Sequence, residues 1–187
     1  MAFLYHKFTR KTLLSLILVL GVVSFWLLTP YLISCLMVTV AGVLGIFFIW
    51  YEIAPIYLLI FLSFTSAYAF YGLFFQYNLP TILIMISILV IFGYIFTYME
   101  QRTGILGNRR LIYLLLFSII VLEVFLALSY FLINPLNQSL VIAAVCYIFS
   151  GFCFSVLAKQ DDSDIRTYLG IGFSTIFVIL LSSSWSV

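Results

Sequence analysis

The chain has 187 residues, 66% of them hydrophobic and 7% charged, with a formal net charge of +2 and a mean hydropathy of +1.30. Eight Lys and Arg, six Asp and Glu and a single His cannot build the polar shell of a water-soluble domain, in which about a quarter of residues are normally charged. A soluble enzyme or an appended soluble domain is therefore excluded, and no nucleic-acid partner is expected.

Taking about 20 residues per membrane span, the apolar segments in chain order are 12–28, 31–50, 55–75, 80–98, 111–133, 139–157 and 167–181. His6, Lys7, Arg10 and Lys11 followed by the run Thr12 to Leu28 resemble the charged and hydrophobic regions of a signal peptide. No small-x-small cleavage site follows. Leu32-Ile33-Ser34-Cys35 matches a lipobox, but the apolar run continues past Cys35 to Trp50 instead of opening into a polar mature chain. The first segment is read as an uncleaved span. The seventh starts with Gly170, Gly172, Ser174 and Thr175, and six spans with a surface-lying tail is the alternative count.

A seven-span path collects every basic residue on one side: Lys7, Arg10 and Lys11 before the first span, Arg102, Arg109 and Arg110 between the fourth and fifth, Lys159 and Arg166 between the sixth and seventh. The positive-inside rule then predicts a cytosolic N-terminus and an outer C-terminus. Trp26, Trp50 and Trp185 fall at span ends, where interfacial aromatics belong. The outer turns are short and uncharged and carry Pro30, Pro80 and Pro135. With Ile56-Tyr57-Leu58-Leu59 matching Ile112-Tyr113-Leu114-Leu115, and Asn78 and Asn134 at the same offset, they suggest three tandem hairpins and a lone seventh helix. Asn137-Gln138-Ser139 is formally a glycosylation sequon, discounted because the turn lies against the membrane.

The residue that most needs explaining is Glu123, the only charge deep inside an apolar segment. An ionised side chain near the bilayer midplane costs about 2.5–3.5 kcal/mol. The Leu, Ile, Val and Phe of 111–133 favour insertion by roughly 5–10 kcal/mol, so the helix enters the membrane with the carboxyl in it. In a low dielectric the neutral form is favoured. Two roles fit a carboxyl there. It is a proton or cation site facing a bundle interior, with Ala127 and Tyr130 on its helix face, or it is a hydrogen-bonding link between helices. The expected partners are Thr65, Ser66 and Tyr68 of the third helix, whose small residues Ser63, Ala67, Ala69 and Gly72 allow close approach. Phe61, Phe64, Phe70, Tyr71, Phe74, Phe75 and Tyr77 of that helix are expected to pack against neighbours and lipid, the alternative being a pocket for an apolar ligand. Ala41-x3-Gly45 and Gly151-x3-Ser155 are small-residue spacings that favour tight crossings.

The other charges fall at the basic end. Glu52 reads as a solvated turn residue. Met99 to Arg110, with Arg102, Arg109 and Arg110, is expected to contact anionic lipid headgroups at about 1 kcal/mol per basic residue, or a cytosolic partner. Asp161, Asp162 and Asp164 could pair with that basic loop or bind a divalent cation. Cys35, Cys146 and Cys153 read as buried thiols, the last two too far apart for a disulfide. No histidine lies at depth for a triad or zinc site, and no phosphate-binding loop or nucleophile elbow is present.

The sequence thus predicts an all-α polytopic membrane protein, a bundle of about seven transmembrane helices in one domain, with no cofactor. Its location is the plasma or inner membrane, and its partners are lipid and another membrane protein or a second copy. The leading expectation is a non-enzymatic subunit or scaffold. The alternatives are a small transporter or proton-coupled permease using Glu123, and then a lipid-acting enzyme that would need the Asp161–Asp164 loop.

Overall fold

The computed structural model describes residues 2–53, 55–103, 110–131, 133–157 and 162–183. Every element among them is a helix: α1 Ala2–Leu28, α2 Leu32–Tyr51, α3 Pro55–Phe75, α4 Thr81–Thr103, α5 Arg110–Ser129, α6 Pro135–Leu157 and α7 Asp162–Ser182. All seven are long and apolar enough to cross a membrane. In hydrocarbon only a helix satisfies its own backbone groups within a single segment, so each apolar run of this length folds the same way.

Several helix ends depart from the apolar boundaries. α1 runs back through the basic segment to Ala2, α4 continues to Thr103 and α7 begins at Asp162. The turn between α5 and α6 lies earlier than the apolar run implies. α5 stops at Ser129 rather than at 133, and α6 begins at Pro135 rather than at 139. Asn134 caps α6, its side-chain oxygen accepting the Leu136 N–H at 3.0 Å, and Pro135 fills the first helical position, where a missing N–H costs nothing. One turn on, the fully buried Gln138 donates from Nε2 to the carbonyls of Leu128 and Phe131, at 2.8 and 3.2 Å. Both carbonyls also accept a backbone N–H, from Phe131 and Ile133 respectively, so Gln138 adds a second donor that ties the start of α6 to the end of α5.

α3 and α6 form the centre. α3 packs on α1, α2, α4 and α6, and α6 packs on α3, α5 and α7, while α7 touches the bundle through α6. Each successive pair of helices is an antiparallel hairpin in contact, but the three hairpins have unequal neighbours: α3 is central and α5 lies at the edge. The two asparagines at matching offsets also differ in conformation, Asn78 taking a left-handed turn at φ 48° while Asn134 caps a helix.

Crossings are set by small residues. A methyl group on Gly21 would come within 2.7 Å of Thr65 Cβ, where α1 crosses α3. One on Gly151 would meet the Tyr168 ring at 2.3 Å, where α6 crosses α7. Without a hydrophobic drive between helices in lipid, such close backbone approach supplies the van der Waals contact that holds them.

Candidate functional site

Glu123 lies on α5 six residues before its end at Ser129, so its Cα is about 9 Å inside that end and about 20 Å from Arg110. The Cα–Cβ bond of a helical residue tilts toward the helix N-terminus, which directs the carboxyl deeper into the apolar layer rather than toward the nearer surface. The face it occupies is the outer one. Glu123 and Ala127 are exposed, with Ile119 above and Tyr130 below, Tyr130 being 86% exposed. On the opposite face Val121, Phe125 and Leu128 are buried in the core. In a bilayer this carboxyl therefore faces lipid or another protein.

That placement separates residues that the sequence grouped together. Ser66 and Tyr68 are buried in α3, across the core from the exposed face of Glu123 and Tyr130, and the structure does not bring the two pairs together. Tyr68 instead shares a 2.7 Å hydrogen bond with Thr29 at the α1–α2 turn and packs its ring 4.6 Å from Phe25. Cys35 completes that cluster, its thiol turned to the carbonyls of Phe25 and Thr29. Thr65 bonds back within its own helix, to the carbonyls of Phe61 and Leu62. Ser63 lies beside the Cys146 thiol at the α3–α6 seam. All three cysteines are free and buried.

The aromatic residues of α3 are mostly consumed in packing. Tyr71 stacks on Phe125 at 4.2 Å, and Phe74 meets the same ring edge-on at 6.4 Å. Phe61 and the exposed Tyr57 are exceptions. With Ala41, Leu44, Gly45 and Phe48 they line an apolar groove of about 190 Å³ between α2 and α3. Gly45 of the Ala41-x3-Gly45 pattern faces Leu18 of α1, and Gly42 faces Val22.

At the basic end Glu52 is no solvated turn residue. It is 23% exposed, stands at φ 64° in the left-handed region, and its Oε1 lies 2.8 Å from Lys11 Nζ. Lys11 also donates to the Trp50 carbonyl at 2.8 Å, and the Tyr98 hydroxyl donates to the Ile49 carbonyl at 3.4 Å. A cation at the C-terminus of α2 complements both its open carbonyls and its dipole. Glu100, grouped by sequence with the basic loop, is instead buried on α4, one turn beyond Phe96 on the same inward face. That i, i+4 spacing was the available signal for it.

Arg102 lies on α4, Arg110 on α5, and Asp162 and Asp164 on α7, rather than in loops. Arg109, Asp161, Lys159 and Trp185 lie outside the described residues. Among the described residues no group of three or more His, Cys, Asp or Glu could hold a metal ion. The sequon residue Asn137 ties α6 to the end of α7, its Nδ2 donating to Ser183 Oγ at 3.0 Å.

Comparison with protein-family models, with curated proteins and with solved structures finds no match to this chain.

Proposed function

We propose that this integral membrane protein is a non-enzymatic subunit that assembles laterally through the outer face of α5. The observation that carries the reading is the exposure of Glu123 about 9 Å inside the helix end. Intramembrane carboxyls almost always face a bundle interior or a cavity and pair with another group. One that faces out of its own bundle requires its hydrogen-bonding partner from another chain. In this reading the basic end is cytosolic, by the positive-inside rule. There Arg102, Arg109 and Arg110 meet anionic headgroups, and the acidic Asp161, Asp162 and Asp164 lie on the same side.

The competing reading, a proton-coupled permease, draws on the same carboxyl, and its substrate path would have to run along the outside of α5 against a neighbour. Native electrophoresis in mild detergent, from the membrane in which the chain is expressed, tests the proposal. Wild type and Glu123→Gln are expected to migrate together in a complex larger than the single chain, because an amide keeps a donor and an acceptor, whereas Glu123→Leu migrates as a smaller species. A Glu123→Leu complex of unchanged size would refute the assembly role. Under the permease reading Glu123→Gln leaves the complex intact but abolishes proton uptake into proteoliposomes.

A further inference from the structure

We infer that the occupant of the α5 face is a second copy of the chain, in a parallel dimer whose two Glu123 carboxyls meet at a two-fold axis along the membrane normal. This rests on the lateral-assembly reading above and names its partner.

Three features point to a second copy. The first is spacing. Within α5, Ile112, Leu116, Ile119 and Glu123 recur at intervals of four, three and four, the spacing of the seam of a left-handed helix pair. Ile112, Leu116 and Ile119 are exposed along this seam, and past Glu123 the exposed stripe continues at Ala127, since Leu126 packs against the core, and at Tyr130 in the turn that follows the helix. In a parallel pair each layer of such a seam faces the identical layer of the partner, so Glu123 meets Glu123. Ala127, one turn along, supplies the small side chain that close approach requires.

The second feature is the chemistry of the group. A neutral carboxyl carries one O–H donor and acceptor lone pairs. Two carboxyls related by a two-fold axis satisfy each other with two O–H···O bonds, the self-complementarity that an isologous interface demands. The third is depth. All copies insert with the same sidedness, so every Glu123 lies at one level, whereas the nearest basic residue along α5, Arg110, is about 20 Å away. A second copy therefore offers Glu123 no cation, but it necessarily offers an identical carboxyl. The outer faces of α2 and α4, with Met37, Val40, Ile86 and Val90, are exposed and apolar and carry no polar group there that needs a hydrogen-bonding partner.

The test uses the purified full chain in phosphatidylcholine vesicles at high lipid excess. Ala127→Cys should form a disulfide-linked dimer on mild oxidation, while Val90→Cys on the outer face of α4 should not. The native cysteines are buried and give little background. By energy transfer between labelled chains, Glu123→Gln should dimerise as wild type does and Glu123→Leu about tenfold more weakly. Equal cross-linking from both cysteine positions, or a Glu123→Leu dimer as strong as wild type, would overturn the inference. If the purified chain is monomeric while the native-membrane complex is present and lost in Glu123→Leu, the second copy is refuted and another protein occupies the face. If the Glu123→Leu complex is also unchanged there, both readings fall.

Discussion

The Tyr71 ring stacks on Phe125 with centroids 4.2 Å apart and planes at 20°, and the Tyr71 hydroxyl donates to the Phe125 carbonyl at 3.3 Å. Phe125 is two residues from Glu123, about 200° around the helix. The contact that turns Phe125 into the core therefore turns Glu123 out of it. Tyr71→Phe keeps the stack and loses one buried hydrogen bond, with an expected cost of about 1 kcal/mol. Tyr71→Ala removes the ring and leaves a cavity, at a cost of about 3–5 kcal/mol. Thermal unfolding of the detergent-solubilised protein separates the two, and equal midpoints would show that the ring does not hold α5.

The hold of the bundle on α7 rests on a narrower contact. Its outer residues Phe173, Phe177, Val178 and Leu181 are exposed, and its crossing with α6 depends on Gly151 against Tyr168 and Gly172 against Ile148. At Gly151 an added methyl would strike Tyr168 at Cγ and Cβ, close to the α7 backbone, where the ring cannot swing aside. Gly151→Ala is expected to destabilise the α6–α7 crossing by about 1–3 kcal/mol. Hydrogen exchange should rise within 162–182 while α3 stays protected. Unchanged exchange in α7 would mean that the crossing yields without cost.

At the opposite edge, Lys11 joins α1 to the end of α2 through Glu52 and the Trp50 carbonyl, with the two side chains 14% and 23% exposed. Lys11→Met removes the ion pair and the cap together and should cost about 1–3 kcal/mol. At Glu52 the left-handed backbone gives a sharper comparison. Glu52→Ala loses the pair and keeps a Cβ in a disfavoured conformation. Glu52→Gly loses the pair but relieves the backbone, and so should be about 1 kcal/mol more stable than the alanine variant. A glycine variant less stable than the alanine one would contradict this account of the turn.

Gln138 closes the α5–α6 turn from a fully buried position. Gln138→Leu preserves bulk but removes the side-chain donor of the Leu128 and Phe131 carbonyls, which keep the backbone N–H groups of Phe131 and Ile133, at an expected cost of about 1 kcal/mol. Carbonyl isotope labelling at Leu128 provides a direct readout, its amide infrared band shifting to higher frequency when the bond is lost. An unshifted band would show that the amide does not hold this turn.

Hydropathy made most of the architecture legible. Seven apolar segments became seven helices of membrane-spanning length, because length and apolarity alone require a helix in a bilayer. The misplaced ends of α5 and α6 show where that signal stops. Ile133 is as apolar as any core residue, and the Asn134 cap, Pro135 and the buried Gln138 amide, with the backbone bonds from the Phe131 and Ile133 N–H groups, close the turn there. Asn134-Pro135 was visible as turn chemistry, but the reach of Gln138 back to α5 needed the tertiary arrangement.

The candidate site divides in the same way. The sequence by itself identified Glu123 as the one charge at depth in an apolar span and gathered the basic residues toward alternate helix ends. It did not determine which way Glu123 faces, because lipid and a helix-packed core are both apolar and hydropathy does not distinguish an inward from an outward side chain in such a segment. Shape decided it instead. Phe125, Phe117 and Val121 of α5 fit against Tyr71, Phe96 and Phe149, and glycines admit close neighbours where α1 crosses α3 and α6 crosses α7. A helix locked by those fits has its rotation set, and the carboxyl is left on the outside.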